Sequence, residues 1–280
     1  MKKSTSKDFT SKKKPIKKRL TKNTREKKFQ FGFGWIRDFP DIRDHAYAAP
    51  VDVTQALPPR VDLRSQCPPV TNQGSLGSCT ANAIGSAHFF GQMRQNSKKA
   101  FQPSRLFIYY NERRRDGNVE WDSGALIRNG FKSIAKEGVC PENLWKYDIP
   151  SFTVKPPVSA YKEALKHQVL QYMRVQQTLG QMKGCLADGY PFVFGFTVYS
   201  SFKIGDVKKT GIMHLPTAAD SMMGGHAVMA VGYDDKKQHF IVQNSWGTEW
   251  GDKGFFYMPY SYATDPDLAA DFWTIRIVEI

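Results

Sequence analysis

Cys79 stands in NQGSLGSCTANA, Asn72 to Ala83, where glycines and serines give way to small, helix-forming residues. The pattern predicts a thiol in the first turn of a helix. A free thiol titrates near 8.5, so it is mostly protonated at neutral pH. A helix N-terminus offers unpaired amides and partial positive charge, which favour the thiolate. An imidazolium partner stabilises that anion further and can later protonate a leaving amine. Among six histidines, His226 differs from the rest. It lies in MMGGHAVMAVGY, where Gly224 and Gly225 permit close approach to another element and a strand follows at once. His88 is more than two turns along the helix of Cys79, while His45, His167, His214 and His239 sit in polar or mixed contexts.

A histidine base needs its second ring nitrogen held in place. Asn244 in QNSWGTEWGDKG is the candidate, since an amide orients the ring without adding charge, and Trp246 is placed to shield the bond. Acyl transfer also needs donors for an oxyanion, which the Cys79 amide and the Gln73 side chain can supply. Singly, such residues are most often structural. Together they form an ordered set, with 147 residues from Cys79 to His226 and 18 more to Asn244.

The elements that must position this set are legible in outline. Ala83, Ile84, Ala87 and Phe90 recur at helical spacing after Cys79, predicting a helix with one buried face. Further helices are predicted over 103–114 and 124–137, the second closing at Gly138. Beyond Gln168 come VLQYMRV, PFVFGFTVYSSF, HAVMAVGYDD, HFIVQNSW and GFFYMPY, β-branched and aromatic runs broken by turns. The fold class expected is α+β, with two lobes and a cleft between them. The helical lobe spans about 59–167 and the β-rich lobe about 168–280. Ahead of them lie a tail, 1–28, and an aromatic leader, 29–58, expected to lie extended against the body. Residues 50–59 read as a connector.

The net charge of +14 is concentrated in the tail. Met1 to Lys28 hold 13 Lys and Arg against Asp8 and Glu26, which leaves about +3 for the rest. That tail lacks an apolar run and is expected to be disordered in isolation. It suits a targeting address, a contact for nucleic acid or another polyanion, a solvated arm, or part of a removable pro-segment. Only Phe9 interrupts the lysines before Phe29, so base stacking is not indicated. Without a signal-like apolar core or an 18-residue apolar stretch, signal-peptide secretion and membrane spanning are not expected. Four cysteines without a CxxC pair make neither a disulfide framework nor a zinc site, and point to a reducing compartment. No metal or cofactor is called for, and a monomer is expected.

The stretches QGSLGSCTA, GGHAVMAVGY, NSWGTEWGDKGFF and PRVDLR resemble the papain-like cysteine peptidases of the C1 family, from about Pro59 to the C-terminus. VYSSF, TGIMH and the Gly-Gly before His226 are most similar to cathepsin B. The resemblance implies a helical left lobe with the catalytic helix, a β-barrel-like right lobe, and hydrolysis of peptide bonds in protein or peptide substrates. It makes Cys79 the nucleophile, His226 the acid/base, Asn244 its orienter and Gln73 the oxyanion donor. It places Trp246 on the primed side, and Gly124, Ala125, Gly195, Gly225 and Ala227 along the substrate. A thiol pKa below the ordinary value is expected for Cys79 in the mature form.

The departures are informative. Leu76 and Asp122 stand where the family carries a disulfide, Thr80 where it carries an aromatic, and Ala125 where it carries a second glycine. Cys67, Cys140 and Cys185 are expected as buried free thiols. The family's long helical pro-region is absent, so 29–50 is expected either in the cleft, restraining activity, or packed on the back of a lobe. No His-His insertion is present, which favours endopeptidase action. Similarity to peptidases of bacteria and large DNA viruses leaves intracellular residence or virion packaging open. The competing readings are an inactive papain-like scaffold working through its tail, and amide or peptidyl transfer through the same acyl-enzyme.

Overall fold

Small side chains build the helix that carries Cys79. Ala81, Ala83, Gly85, Ser86 and Ala87 let neighbours approach on all sides, and every residue from Cys79 to His88 is buried. The expected single buried face is therefore corrected: sheet packs on one side of this helix and other helices on the other. The computed structural model describes Met1 and residues 32–279 apart from Gly205. The basic tail, with its targeting or polyanion role, lies outside the described residues.

In the leader, β1 (Trp35–Ile36) and β2 (Ala46–Tyr47) precede a short helix, α1 (Val51–Gln55), within the expected connector. The helical part follows as β3 (Arg60–Asp62), α2 (Cys79–Asn96), α3 (Arg105–Arg115), β4 (Ala125–Leu126), α4 (Ile127–Lys136) and α5 (Val158–Ala164). Then come β5 (Val169–Val175), α6 (Leu179–Ala187), β6 (Phe192–Tyr199), α7 (Ser200–Ile204) and α8 (Val207–Thr210). β7 (Met222–Asp234), β8 (His239–Gln243), β9 (Phe255–Pro259), α9 (Tyr260–Thr264) and β10 (Ala269–Val278) complete the chain.

The predicted helix over 124–137 begins three residues late. Gly124 takes φ +72° and Ala125–Leu126 are extended, because they pair with β1. The main sheet runs β2-β5-β10-β6-β7-β8-β9, with β3 added on β7. Its long strand β7 carries His226, with β6 on one side and β8 on the other. β10 is central but was not among the predicted strands, and its register shifts between Ala270 and Trp273. Asp271 sits in that irregularity at φ +60°, a conformation that asparagine and aspartate tolerate better than most residues. Cys140 and Cys185 are buried free thiols as expected, whereas Cys67 is only half-buried, at the edge of the core.

Asp122, expected to stand at a bridged cysteine of the family, is held by hydrogen bonds. Both carboxylate oxygens of Asp122 accept from the Gly77 amide at 3.0 Å, and the Tyr109 hydroxyl donates to the same group. Thr80, in place of an aromatic, donates to buried Glu112 at 2.5 Å.

Candidate active site

Cys79 is the first residue of α2, and its backbone turns into the helix at Ser78 without a side-chain cap. That leaves the N-terminal amides uncommitted to a capping oxygen. The Ala227 amide, the leader's Gly34 amide and the Thr80 amide all face the thiol. Cys79 therefore lies against β7 at Ala227, the residue after His226. The ring of His226 donates from Nε2 to Asn244 Oδ1 at 2.8 Å. That bond fixes the tautomer and leaves Nδ1, which has no hydrogen-bond partner among the described residues, as an acceptor. Asn244 Oδ1 also takes the Ser245 amide at 2.8 Å. Trp246 stacks on the imidazole, with centroids 4.7 Å apart and planes 28° from parallel, and so covers the pair from solvent.

Gln73 is fully buried. Its Oε1 accepts from Ser245 Oγ at 2.6 Å, which turns its NH2 group outward toward the cleft. One proton goes to the Leu76 carbonyl at 2.9 Å and the other to Gly32 of the leader at 3.1 Å. Ser245 was not singled out from the sequence. Its signal was its place between Asn244 and Trp246.

The leader threads this cleft. Gly32 donates to the Gly74 carbonyl at 3.2 Å, Gly34 donates to Gly225 at 3.1 Å, and Ala125 donates to the Gly34 carbonyl at 2.7 Å. β1 runs parallel to β4. A Cβ on Gly34 would come within 1.7 Å of the Gly77 carbonyl, so only glycine passes the nucleophile this closely. Phe33 lies edge-on to His226 and Trp246, at 6.4 and 6.2 Å. The Trp35 indole covers Gly195, where any Cβ would fall about 2.0 Å from the ring. Its Nε1 donates to Asp271 at 3.0 Å. Thus Gly124, Ala125, Gly195, Gly225 and Trp246, predicted along the substrate, line the leader here. Ala227 presents its amide to the thiol.

The covered cleft changes the titration of the pair. Burial pushes the Cys79 thiol up to about 12, against the amides that favour its anion. Burial likewise pulls His226 down to about 4, opposed by its bond to Asn244. In this leader-covered form burial raises the thiol pKa, whereas the depressed value is the expectation for the mature form.

Beyond Trp35 the leader is held by charge. Arg128 on α4 bonds Asp38 at 2.8 Å and also Asp44, while Arg174 on β5 reaches both at 3.3 Å. Arg174 also pairs with Asp271 at 3.2 Å, and the Asp38 amide donates to Asp271 at 3.0 Å. None of these arginines or aspartates was predicted, since their partners lie 90 or more residues away for most pairs.

The sequence pattern of the papain family of cysteine proteases matches residues 57–270. The chain belongs to that family. This papain-family protein is 43% identical over 270 residues to an uncharacterized peptidase C1-like protein of Acanthamoeba polyphaga mimivirus, covering 88% of this chain and 87% of that one. It is 30% identical over 222 residues to a cathepsin B-like protein of Giardia intestinalis, covering 74% and 70%. Among solved structures, xylellain, a cysteine protease from Xylella fastidiosa, superposes with TM-score 0.82 at 44% identity, covering 89% and 97%. The α+β, papain-like fold and the cysteine-type peptidase class follow from these likenesses. Among the described residues no helix is long and apolar enough to cross a membrane.

Proposed function

We propose that the protein is an endopeptidase that works through a Cys79 acyl-enzyme and is held off by its own leader. The observation that carries the reading is the Gly32 carbonyl on Gln73 Nε2, which puts a leader backbone where an oxyanion donor is needed. Once the leader leaves, water and substrate reach the pair, and the helix N-terminus with the Ala227 amide favours the thiolate. The thiolate attacks a peptide carbonyl, and Gln73 with the Cys79 amide receives the oxyanion. His226 gives its proton to the departing amine, then takes one from water as the acyl-enzyme is hydrolysed. Asn244 and Trp246 keep the imidazole in place throughout.

Endopeptidase action draws support from the leader itself. A continuous backbone passes the nucleophile from Gly32 to Ile36 with no chain terminus inside the cleft. An internal stretch of a substrate has the same shape.

The test is to place a specific protease site between Tyr47 and Pro58, cut the folded full chain there, and follow peptide turnover. Turnover should rise on cutting and vanish in Cys79→Ala. Equal turnover before and after leader displacement would refute the restraint, and turnover in Cys79→Ala would refute the mechanism.

A further inference from the structure

The two arginines that clamp the leader are built into the body, not into the leader. Arg128 leaves α4 and Arg174 leaves β5, and their side chains are only 9% and 22% exposed. With the leader docked they face three carboxylates, Asp38, Asp44 and Asp271. Departure of the leader removes two of the three, leaving two guanidinium groups beside the single carboxyl of Asp271. Largely buried guanidinium groups without an acceptor are costly, and their planar forks match carboxylates. A cavity of about 430 Å³ lies between leader residues such as Asp38 and Asp44 and the body residues Arg174 and Asp271, so the leader does not fill the space on the Arg174 side. Measured along the cleft from Cys79, the order is Gly34, the Trp35 seat, and then the two arginines.

We infer that Arg128 and Arg174 form an anion-recognition site for substrate, so that the enzyme selects peptides with an Asp or Glu a few residues from the scissile bond. The leader's Asp38 and Asp44 are the stand-ins for that side chain. This inference rests on the peptidase reading and adds a substrate class to it. Asp271, retained by the body, keeps Arg174 oriented by its bond at 3.2 Å. Arg128 gains the most from an incoming carboxylate, since it lies over the Trp273 ring of the body while the acceptors of its hydrogen bonds, Asp38, Asp44 and the Phe39 carbonyl, belong to the leader.

The experiment uses the full chain carrying Trp35→Ala, Asp38→Asn and Asp44→Asn, which loosens the leader and keeps both arginines. It is incubated with a defined peptide pool bearing Glu, Gln or Lys at each of five positions on either side of a cleavable centre. Mass spectrometry reads the relative kcat/KM, and a thiol-reactive epoxide reports whether Cys79 is accessible. Glu should exceed Gln by about tenfold at one or two adjacent positions on a single side, the size of a charge-assisted hydrogen bond. Lys should be poorer still. Arg128→Gln and Arg174→Gln should bring the Glu/Gln ratio near one, with Arg174→Lys retaining part of it. Should those variants fold poorly, loss of the ratio between 50 and about 500 mM salt serves the same purpose. Cleavage without preference for an acid overturns this inference alone. Labelling of Cys79 with no cleavage of any peptide overturns the peptidase reading and this one with it.

Discussion

Gln73 Nε2 and the Gly32 carbonyl lie 3.1 Å apart, so the leader occupies the side-chain donor that a reacting carbonyl would need. Cys79 is fully buried where the leader passes it, and burial pushes its thiol up to about 12. At pH 7 the full chain should therefore react with iodoacetamide roughly a thousandfold more slowly than a thiol of ordinary pKa. Trp35→Ala, which empties the seat over Gly195, should recover most of that rate. A wild-type rate equal to that of free cysteine would show that the leader is not held in the cleft.

Ser245 acts on Gln73 through the 2.6 Å bond to its Oε1. In leader-released enzyme, Ser245→Ala should lower kcat by about tenfold and leave KM nearly unchanged, because the donor is misaligned only where charge develops. Gln73→Ala removes the donor itself and should cost about a hundredfold or more. Steady-state kinetics on one peptide substrate separate the two.

The clamp is a matter of buried charge. Asp38→Asn removes one carboxylate from Arg128 and Arg174, at 2.8 and 3.3 Å. A loss of about 2 kcal/mol in leader docking would raise turnover by the full chain roughly thirtyfold, wherever docking limits activity. Asp41→Asn is the control, since Asp41 pairs with Arg43 inside the leader and Arg43 is 83% exposed. That change should leave turnover within twofold.

Asp271 makes docking depend on pH. Burial, and then the neighbouring Asp38 carboxylate, push its carboxyl up to about 7. An acid whose pKa is raised on docking takes up a proton as the leader seats. The contribution is complete below the ordinary carboxylate pKa, near 3.9, and is lost as pH rises through about 7. Leader affinity should thus fall as pH rises toward about 7, by the share of the shift that the leader's Asp38 contributes, and level off above it. Asp271→Asn should flatten the profile. The readout is Cys79 labelling, corrected for the reagent's own pH dependence at a model thiol.

Asp122 ties the loop before α2 to α3 by hydrogen bonds. Asp122→Ala should lower stability by about 1–3 kcal/mol, through loss of its bonds to Gly77 and Tyr109. Thermal melting with and without dithiothreitol should give the same Tm for the wild type, whose four cysteines are free.

The local chemistry was legible in the sequence because it rests on short-range rules. A cysteine after glycine and serine at a helix start, a histidine after Gly-Gly at a strand start and an asparagine in NSWG are patterns of a few residues. The strand runs of the second half were legible for the same reason, apart from β10. AADFWTIRIV carries a buried aspartate inside an apolar run, and only the bulge at Asp271 and its bonds to Trp35 and Asp38 make sense of that charge. The start of α4 was misplaced because Ala125 and Leu126 are extended by pairing with the leader, a partner about 90 residues upstream.

The sequence by itself determined the family and the fold class, since residue type and order suffice for these. Which of two homes the leader takes, the seat of Trp35, and the meeting of Arg128, Arg174, Asp38, Asp44 and Asp271 were decided only by the tertiary structure. Those contacts join segments far apart in the chain, and their energy comes from burial and charge pairing that exist only once the sheet has closed against the helices.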